Sequence, residues 1–273
     1  MRQLDNKTRS QILACFVEGN SLRATVRMTG AAKKTVSKLL VDLGKACEAY
    51  QDKAFVNLKS RRIECDEIWS FVYAKEKNCP SDAKKKGGGD AWTWVALDPD
   101  SKLVPCWMVG KRDASYACHF IHDLKKRLVG RVQLTTDGYQ AYIGAVEDAF
   151  GSEVDYGMLV KIYGTPQDGE GRYSPAQCIG IKKTVICGNP NMENVSTSLI
   201  ERQNLTMRMG MRRFTRLTNA FSKKIENHEH ALAIHYMYYN FCRIHQSLRV
   251  TPAMEAGISD HVWSLEEVVS LLD

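Results

Sequence analysis

Apolar residues recur at helical spacing in the first part of the chain. Residues 7–18 form the first such stretch, and its inward face carries Ile12, Leu13, Phe16 and Val17. Gly19 and Asn20 follow it directly, and this pair is typical of a helix end that closes in the left-handed conformation. The pattern therefore predicts an amphipathic helix that ends just before Gly19.

Two more helices are predicted before residue 50. Ser21 is a favourable N-cap for a short helix over residues 22–29, and Gly30 provides the turn that follows. Residues 31–46 then form a third helix, with Val36, Leu39, Leu40 and Leu43 inward and with Lys33, Lys34 and Lys38 outward. This order predicts a helix-turn-helix domain over residues 1–50, whose last helix enters the major groove of DNA. A plain three-helix bundle with solvated lysines explains the same pattern.

The spacing of apolar residues changes from 3.6 to 2 at Arg62, after a linker predicted over residues 51–61. Strands are predicted from Arg62 onward, twice within residues 91–110, and over residues 132–138 and 156–164; helices are predicted over residues 113–129, over residues 139–150 and around Glu201. This order predicts an α/β fold with a mixed sheet over residues 62–250, followed by a C-terminal extension over residues 251–273.

Two stretches are predicted to be irregular. Residues 75–90 contain AKKKGGGD and suit a hairpin loop, but they lack the Gly-Lys-Ser/Thr ending of a phosphate-binding P-loop. Residues 164–197 carry so many glycines and prolines that one regular element is not expected there. They are predicted to form an excursion before the helix of Glu201.

Charge is distributed unevenly along the chain, whose formal net charge is +7. Residues 1–62 carry 13 Lys/Arg against 5 Asp/Glu, whereas the remainder is nearly neutral. A basic segment attached to a neutral body indicates a module that faces nucleic acid. This distribution supports the helix-turn-helix interpretation of the first 50 residues.

The nine cysteines include no Cys-x-x-Cys pair, so neither a disulfide framework nor a zinc site is indicated, and free thiols are expected. The first residues lack the apolar stretch of a signal peptide, and no run of about 18 apolar residues could span a bilayer. We therefore expect a cytoplasmic protein, associated with the nucleoid and not with a membrane.

Three acidic residues lie where the predicted secondary structure changes. Asp66 is in the first strand, Asp137 ends the fourth strand, and Glu201 is in a helix. If the first and fourth strands are neighbours, these carboxylates can converge and bind two Mg²⁺ (or Mn²⁺) ions, which can activate both the attacking and the leaving oxygen of a phosphodiester. Taken singly, these residues are better explained as an edge-strand charge, a turn aspartate and a solvated helix residue, respectively. Glu67 is a competing carboxylate beside Asp66, but its side chain is expected to face the opposite side of the sheet.

Several longer segments resemble the insertion-sequence-one family of DDE transposases. The segments are DEIWSFV, TTDGYQAY, DHVWSLEEVV and the two runs SLIERQNLTMRMGMRRFTRLTNAFS and HYMYYNFCRIHQSLRVTPAMEAGI. The resemblance covers about residues 62–270. It implies a ribonuclease H-like fold, with Asp66, Asp137 and Glu201 matching the catalytic Asp, Asp and Glu of the family. It further implies magnesium-dependent cleavage of the terminal inverted repeats of an element and joining of the 3′-hydroxyl to target DNA.

The sequence departs from the family pattern in one respect, and the resemblance also implies an oligomer. Members of the family often carry a cysteine-rich zinc motif ahead of the helix-turn-helix, and this sequence lacks those cysteines. Cutting two ends in concert implies a homodimer or a higher homo-oligomer.

A basic run follows Glu201. Arg208 and Arg212 are expected on the same helical face as Glu201, where they could bind DNA phosphates, although a solvated basic face explains them equally. The resemblance favours Arg208, since the family places a basic residue seven positions after its Glu. Nearby, Tyr236 and Tyr239 at helical spacing indicate core packing, not a nucleophile.

Two other functions remain open at this stage. A ribonuclease H-like nuclease on the same fold would cut nucleic acid without joining ends. A transcriptional regulator would combine the helix-turn-helix with a non-catalytic domain, and substitution of the three carboxylates would then leave every activity unchanged.

Overall fold

The computed structural model describes residues 4–164, 177–215 and 219–273. Their centre is a six-stranded sheet in the order β3-β2-β1-β4-β5-β6. In chain order the strands are β1 (Arg62–Val72), β2 (Gly89–Leu97), β3 (Cys106–Gly110), β4 (Val132–Thr136), β5 (Val154–Tyr163) and β6 (Cys178–Cys187). The β1/β4 and β4/β5 pairs are parallel, whereas the β1/β2, β2/β3 and β5/β6 pairs are antiparallel.

Helices cover both faces of this sheet. In chain order they are α1 (Asn6–Val17), α2 (Leu22–Thr29), α3 (Lys33–Ala54), α4 (Ser81–Lys84), α5 (Ala114–Arg127), α6 (Ala141–Phe150), α7 (Ser198–Gly210), α8 (Ile225–Met237), α9 (Pro252–Glu255) and α10 (Leu265–Ser270). Cys65 of β1 belongs to the apolar cluster that includes Phe120 of α5 and Tyr142 of α6. Ile68 belongs to a second cluster with Met207 of α7. The structure confirms the predicted α/β class, with a mixed sheet flanked by helices.

The first two N-terminal helices begin and end close to the predicted positions. Ser21 caps α2 by accepting a hydrogen bond from the backbone N–H of Ala24 at 3.1 Å, and Gly30 makes the turn at φ +69°. The third helix is longer than predicted and continues to Ala54. It therefore takes in the first residues of the predicted linker, while the division into domains remains a prediction.

Helix α3 packs closely against α8. A Cβ atom added at Gly44 would lie 2.3 Å from the Cβ of His230, so the two backbones approach to a distance that only glycine permits. At the other end of the chain, Arg9 of α1 pairs with Asp273 at 3.1 Å. The N-terminal helices thus share the main apolar core with the sheet.

Both stretches that were predicted to be irregular contain regular structure. β6 lies within the predicted excursion over residues 164–197, so that prediction is wrong for Cys178–Cys187; residues 165–176 of the excursion lie outside the described residues. The hairpin between β1 and β2 contains a 3₁₀ turn at Glu76–Asn78 and the single turn α4.

Other expectations can be compared with the structure directly. The nine cysteines are free thiols, as predicted. Tyr236 is fully buried and stacks on Trp107, which confirms its predicted place in the core. No helix among the described residues is long and apolar enough to cross a membrane.

Candidate active site

Asp66 and Asp137 lie side by side because β1 and β4 are parallel neighbours. Cys65 pairs with Thr136 in the β1/β4 ladder; Asp66 is the next residue of β1, and Asp137 directly follows the last residue of β4. Asp137 closes a turn, since its Oδ1 accepts a hydrogen bond from the backbone N–H of Tyr139 at 2.9 Å. The register therefore brings the Asp66 and Asp137 carboxylates together where β4 ends beside the middle of β1.

Glu67 is a third carboxylate at this position. Alternation along β1 predicted that its side chain would face away from Asp66. One carboxylate oxygen from each of Asp66, Glu67 and Asp137 nevertheless lies within 4.8 Å of the others. The prediction that Glu67 faces away is therefore wrong for its carboxylate oxygens. The long Glu67 side chain extends to the edge of the same cluster, where its Oε2 lies 3.2 Å from Arg112 Nε.

Helix α7 carries Glu201 and is anchored to β1 by a buried carboxylate. Glu64 Oε2 accepts hydrogen bonds from the backbone N–H groups of Leu199 at 3.0 Å and Ile200 at 2.9 Å. These donors are free at the start of a helix, and the helix dipole favours a negative charge there. Glu64 thereby fixes the position of the first turn of α7, which includes Glu201.

Glu201 lies on α7 one turn before Asn204 and is held by partners other than the aspartates. Its Oε1 accepts a hydrogen bond from the Thr197 hydroxyl at 2.6 Å, and its Oε2 forms an ion pair with Lys161 of β5. One turn further along α7, the side-chain amide of Asn204 donates to Asp66 Oδ2 at 2.8 Å. The structure therefore places Glu201 beside the cluster, outside the group of three carboxylates that lie within 4.8 Å.

Burial and mutual repulsion make two of these carboxyl groups weak acids. The pKa of Asp66 is raised to about 7, first by burial and then by the charges of Glu67 and Asp137, with a smaller contribution from Glu201. The pKa of Glu67 is also raised to about 7, by burial and by Asp137, although Arg112 opposes the change. Each group would be stabilised in its charged form by an additional cation.

Arg112 is the cation that closes one side of the cluster. Its guanidinium lies 3.6 Å from Asp137 and 3.8 Å from the ring centroid of Tyr139. The same group lies 5.2 Å from the ring centroid of Trp92. Arg112 is therefore held between aromatic rings, and it offsets part of the negative charge of Glu67 and Asp137.

The donors of this site fit a hard divalent cation. Asp66, Glu67 and Asp137 offer carboxylate oxygens only, the ligand type that Mg²⁺ and Mn²⁺ prefer. Because several negative charges are concentrated on a partly buried surface, a cation bound there would relieve the repulsion that raises the pKa of Asp66. The residues present therefore fit a divalent metal ion.

The residues that are predicted to contact DNA lie on different elements of the fold. Lys33, Lys34 and Lys38 are exposed on α3, and Lys38 forms an ion pair with Asp42 at 2.5 Å. Arg208 lies in the last turn of α7. Arg212 is exposed but does not share that helix, because α7 ends at Gly210 and Arg212 begins a 3₁₀ turn. The predicted common helical face of Arg208 and Arg212 is therefore wrong.

Sequence reasoning missed the residues that hold the carboxylates in place. One of them is Glu64, which accepts hydrogen bonds from the start of α7. The others are Asn204, which donates to Asp66, and Lys161, which forms an ion pair with Glu201. The available signal was the spacing of three residues between Glu201 and Asn204, which places both side chains on one face of a helix. Arg112 carried no such signal, since it follows β3 and reaches the site only through the fold.

Comparison with solved structures finds transposases bound to DNA. The chain is similar to piggyBac transposase in a cryo-EM synaptic complex with hairpin DNA, at 11% identity and a TM-score of 0.48, over 99% of this chain and 71% of that chain. Mos1 transposase in a paired-end complex with the left transposon end is similar at 16% identity and a TM-score of 0.23, over 56% of this chain and 60% of that chain. No family model and no curated protein matches the chain. At this level of similarity, its function has to be argued from its own residues.

Proposed function

We propose that this protein is a metal-dependent DNA transposase of the DDE type. In this proposal it cleaves the ends of an insertion sequence and joins the exposed 3′-hydroxyl to target DNA. The observation that supports the proposal most directly is the meeting of the Asp66 and Asp137 carboxylates on the neighbouring parallel strands β1 and β4, beside α7, which carries Glu201 and whose Asn204 donates to Asp66. These residues are also the ones that the resemblance to the insertion-sequence-one family assigns to catalysis.

In this proposal, Asp66 and Asp137 are metal ligands, Glu67 is a neighbouring carboxylate, and Glu201 completes the set. When bound, two Mg²⁺ or Mn²⁺ ions would activate the attacking oxygen and neutralise the leaving oxygen of a phosphodiester. To hold a metal ion, Glu201 would have to give up its ion pair with Lys161, and the Lys161 ammonium group would then be available to a DNA phosphate. Asn204 keeps Asp66 oriented throughout by donating to its Oδ2.

The DNA is held by other residues in this proposal. Lys33, Lys34 and Lys38 of α3 would contact the terminal inverted repeats as part of a helix-turn-helix, and Arg208 and Arg212 would contact DNA phosphates. Each phosphate contact that a lysine or arginine makes adds about 0.9 to the slope of log affinity against log salt. Replacing Lys33, Lys34 and Lys38 together with glutamine should therefore flatten this slope, as measured by fluorescence anisotropy with labelled end-containing DNA.

The enzymatic proposal is tested with variants that remove charge but keep shape. Asp66→Asn, Asp137→Asn and Glu201→Gln should each abolish cleavage of labelled DNA that carries the element ends, while DNA binding remains. Asp82→Asn, an exposed substitution on α4, serves as the matched control and should cleave normally. If all three variants cleave as well as the wild type, the carboxylates are not catalytic and the regulator interpretation gains support.

The products distinguish a transposase from a nuclease on the same fold. A transposase yields cleaved ends and strand-transfer products in which the 3′-end is joined to a second DNA. Nicked DNA without any joined product, under conditions that support cleavage, would favour the nuclease. Analytical ultracentrifugation of the protein with end DNA tests the accompanying proposal that at least a homodimer assembles on the ends.

A further inference from the structure

Helices α5 and α6 pack against each other and carry three potential metal ligands on their outer surface. Cys118 and His122 are four residues apart on α5, so their side chains lie on the same face of the helix. Asp148 extends from α6 toward both of them. Its Oδ2 lies 2.8 Å from His122 Nε2 and 3.4 Å from Cys118 Sγ.

We propose that Cys118, His122 and Asp148 form a second metal site, which takes zinc or a similar borderline-soft divalent cation. One ligand atom from each residue lies within 4.8 Å of the other two. Zinc bonds of about 2.0–2.3 Å in a tetrahedron place ligand atoms roughly 3.3–3.5 Å apart. The Cys118 Sγ to Asp148 Oδ2 separation of 3.4 Å already has this value, whereas the His122 Nε2 to Asp148 Oδ2 separation of 2.8 Å is a few tenths of an ångström shorter.

The ligand types distinguish this site from the carboxylate cluster. A thiolate and an imidazole favour zinc over magnesium, whereas the oxygen donors around Asp66 favour the hard cation. His122 and Asp148 are both partly exposed, with 41% and 64% of their side-chain surface accessible. This leaves room for a water molecule as the fourth ligand. The ion would tie α5 to α6, the helix that begins four residues after Asp137.

The sequence pattern conceals this site from a search for paired cysteines. Its two ligands on α5 have the spacing Cys-x-x-x-His, and the third ligand lies 26 residues after His122, on the next helix. Only the packing of α5 on α6 brings Asp148 to the other two. The proposal does not depend on the proposed transposase activity, because it concerns a different surface of the fold.

Cobalt binding to the full-length protein tests the site. The protein is stripped of metal and titrated with Co²⁺ in excess Mg²⁺, which occupies the carboxylate cluster. The wild type should gain one equivalent of Co²⁺ with the charge-transfer absorption of a cobalt–thiolate bond, and one equivalent of Zn²⁺ should displace it. Cys118→Ser and Cys118→Ala should lose this absorption, and His122→Ala and Asp148→Asn should bind more weakly. Cys178→Ser and His119→Gln are the matched controls and should match the wild type.

Several outcomes would overturn the proposal. They are the absence of a thiolate band from the wild type, persistence of the band in both Cys118 variants, and unchanged affinity in Asp148→Asn. Circular dichroism of the metal-free variants verifies that each is folded. Zn²⁺ should also raise the melting temperature of the wild type and leave that of Cys118→Ser unchanged, since a ligand that binds only the folded state stabilises it. An equal shift in both proteins would also refute the assignment.

Discussion

Asp66→Asn should make the metal-free protein more stable at pH 8, although it removes a proposed metal ligand. The pKa of Asp66 is raised from 3.8 to about 7 in the folded protein. A carboxyl group with a raised pKa contributes stability below pH 4, and this contribution is lost as the pH rises through about 7. One pKa unit corresponds to about 1.4 kcal/mol, so the charged Asp66 costs on the order of 4 kcal/mol at pH 8.

Replacing Asp66 with asparagine removes this charge, and the hydrogen bond that is lost costs less free energy than the charge did. It has one oxygen in place of two, so one of the hydrogen bonds from Asn204 and from the Glu67 backbone N–H is lost, at a net cost of about 1 kcal/mol. We therefore expect Asp66→Asn to raise the free energy of unfolding by roughly 3 kcal/mol in chelator at pH 8. The advantage should shrink toward pH 4, where the wild-type carboxyl group is protonated.

Urea unfolding at several pH values between 4 and 8 measures these effects. Added Mg²⁺ should stabilise the wild type at pH 8 and leave Asp66→Asn nearly unchanged, because the metal binds only when the carboxylate is present. The exposed control Asp82→Asn should follow the wild type at every pH. A variant no more stable than the wild type in chelator at pH 8, or a wild type indifferent to Mg²⁺, would refute this account of the charge cluster.

Two substitutions outside the carboxylate cluster test how the fold positions it. Glu64→Ala leaves two backbone N–H groups of α7 without their buried acceptor, so urea unfolding should show a free energy of unfolding lower by about 2–4 kcal/mol, and Mg²⁺ affinity should fall as α7 shifts. Glu64→Gln retains an acceptor and should lose less stability. Equal stabilities of the two variants would contradict the capping role. Gly44→Ala should lower the free energy of unfolding by about 1–3 kcal/mol, because the added methyl group clashes with His230. Gly144→Ala, whose added methyl group meets nothing within 4 Å, should not lower it in the same measurement. A tolerated Gly44→Ala would show that α3 and α8 can separate.

The meeting of Asp66 and Asp137 was predictable because it depends only on two strands being parallel neighbours. Asp137 directly follows β4, where the Asp-Gly pair gives a strong turn signal, and Asp66 lies within β1, whose alternating pattern identifies it as a strand. Arg112 could not be predicted in the same way. Its place between Tyr139 and Trp92 depends on the packing of a loop after β3, for which no local pattern exists.

The errors of prediction have equally physical causes. β6 is an edge strand with both faces largely exposed, so it lacks the alternation of apolar and polar residues that marks a half-buried strand. The end of α7 at Gly210 was overlooked because the basic run continues through Arg212 without a change in composition. Glu67 was set aside because alternation describes where a Cβ points, and a glutamate can turn its carboxylate back to the strand end.

Diffraction from crystals soaked in Mn²⁺ tests the central claim most directly. Anomalous difference density should appear between the carboxylates of Asp66 and Asp137, with Glu201 released from Lys161 and turned toward the metal. A map without manganese at Asp66 and Asp137 at saturating concentration, or with Glu201 still paired to Lys161 beside a fully occupied metal, would contradict the proposal that these three carboxylates act together.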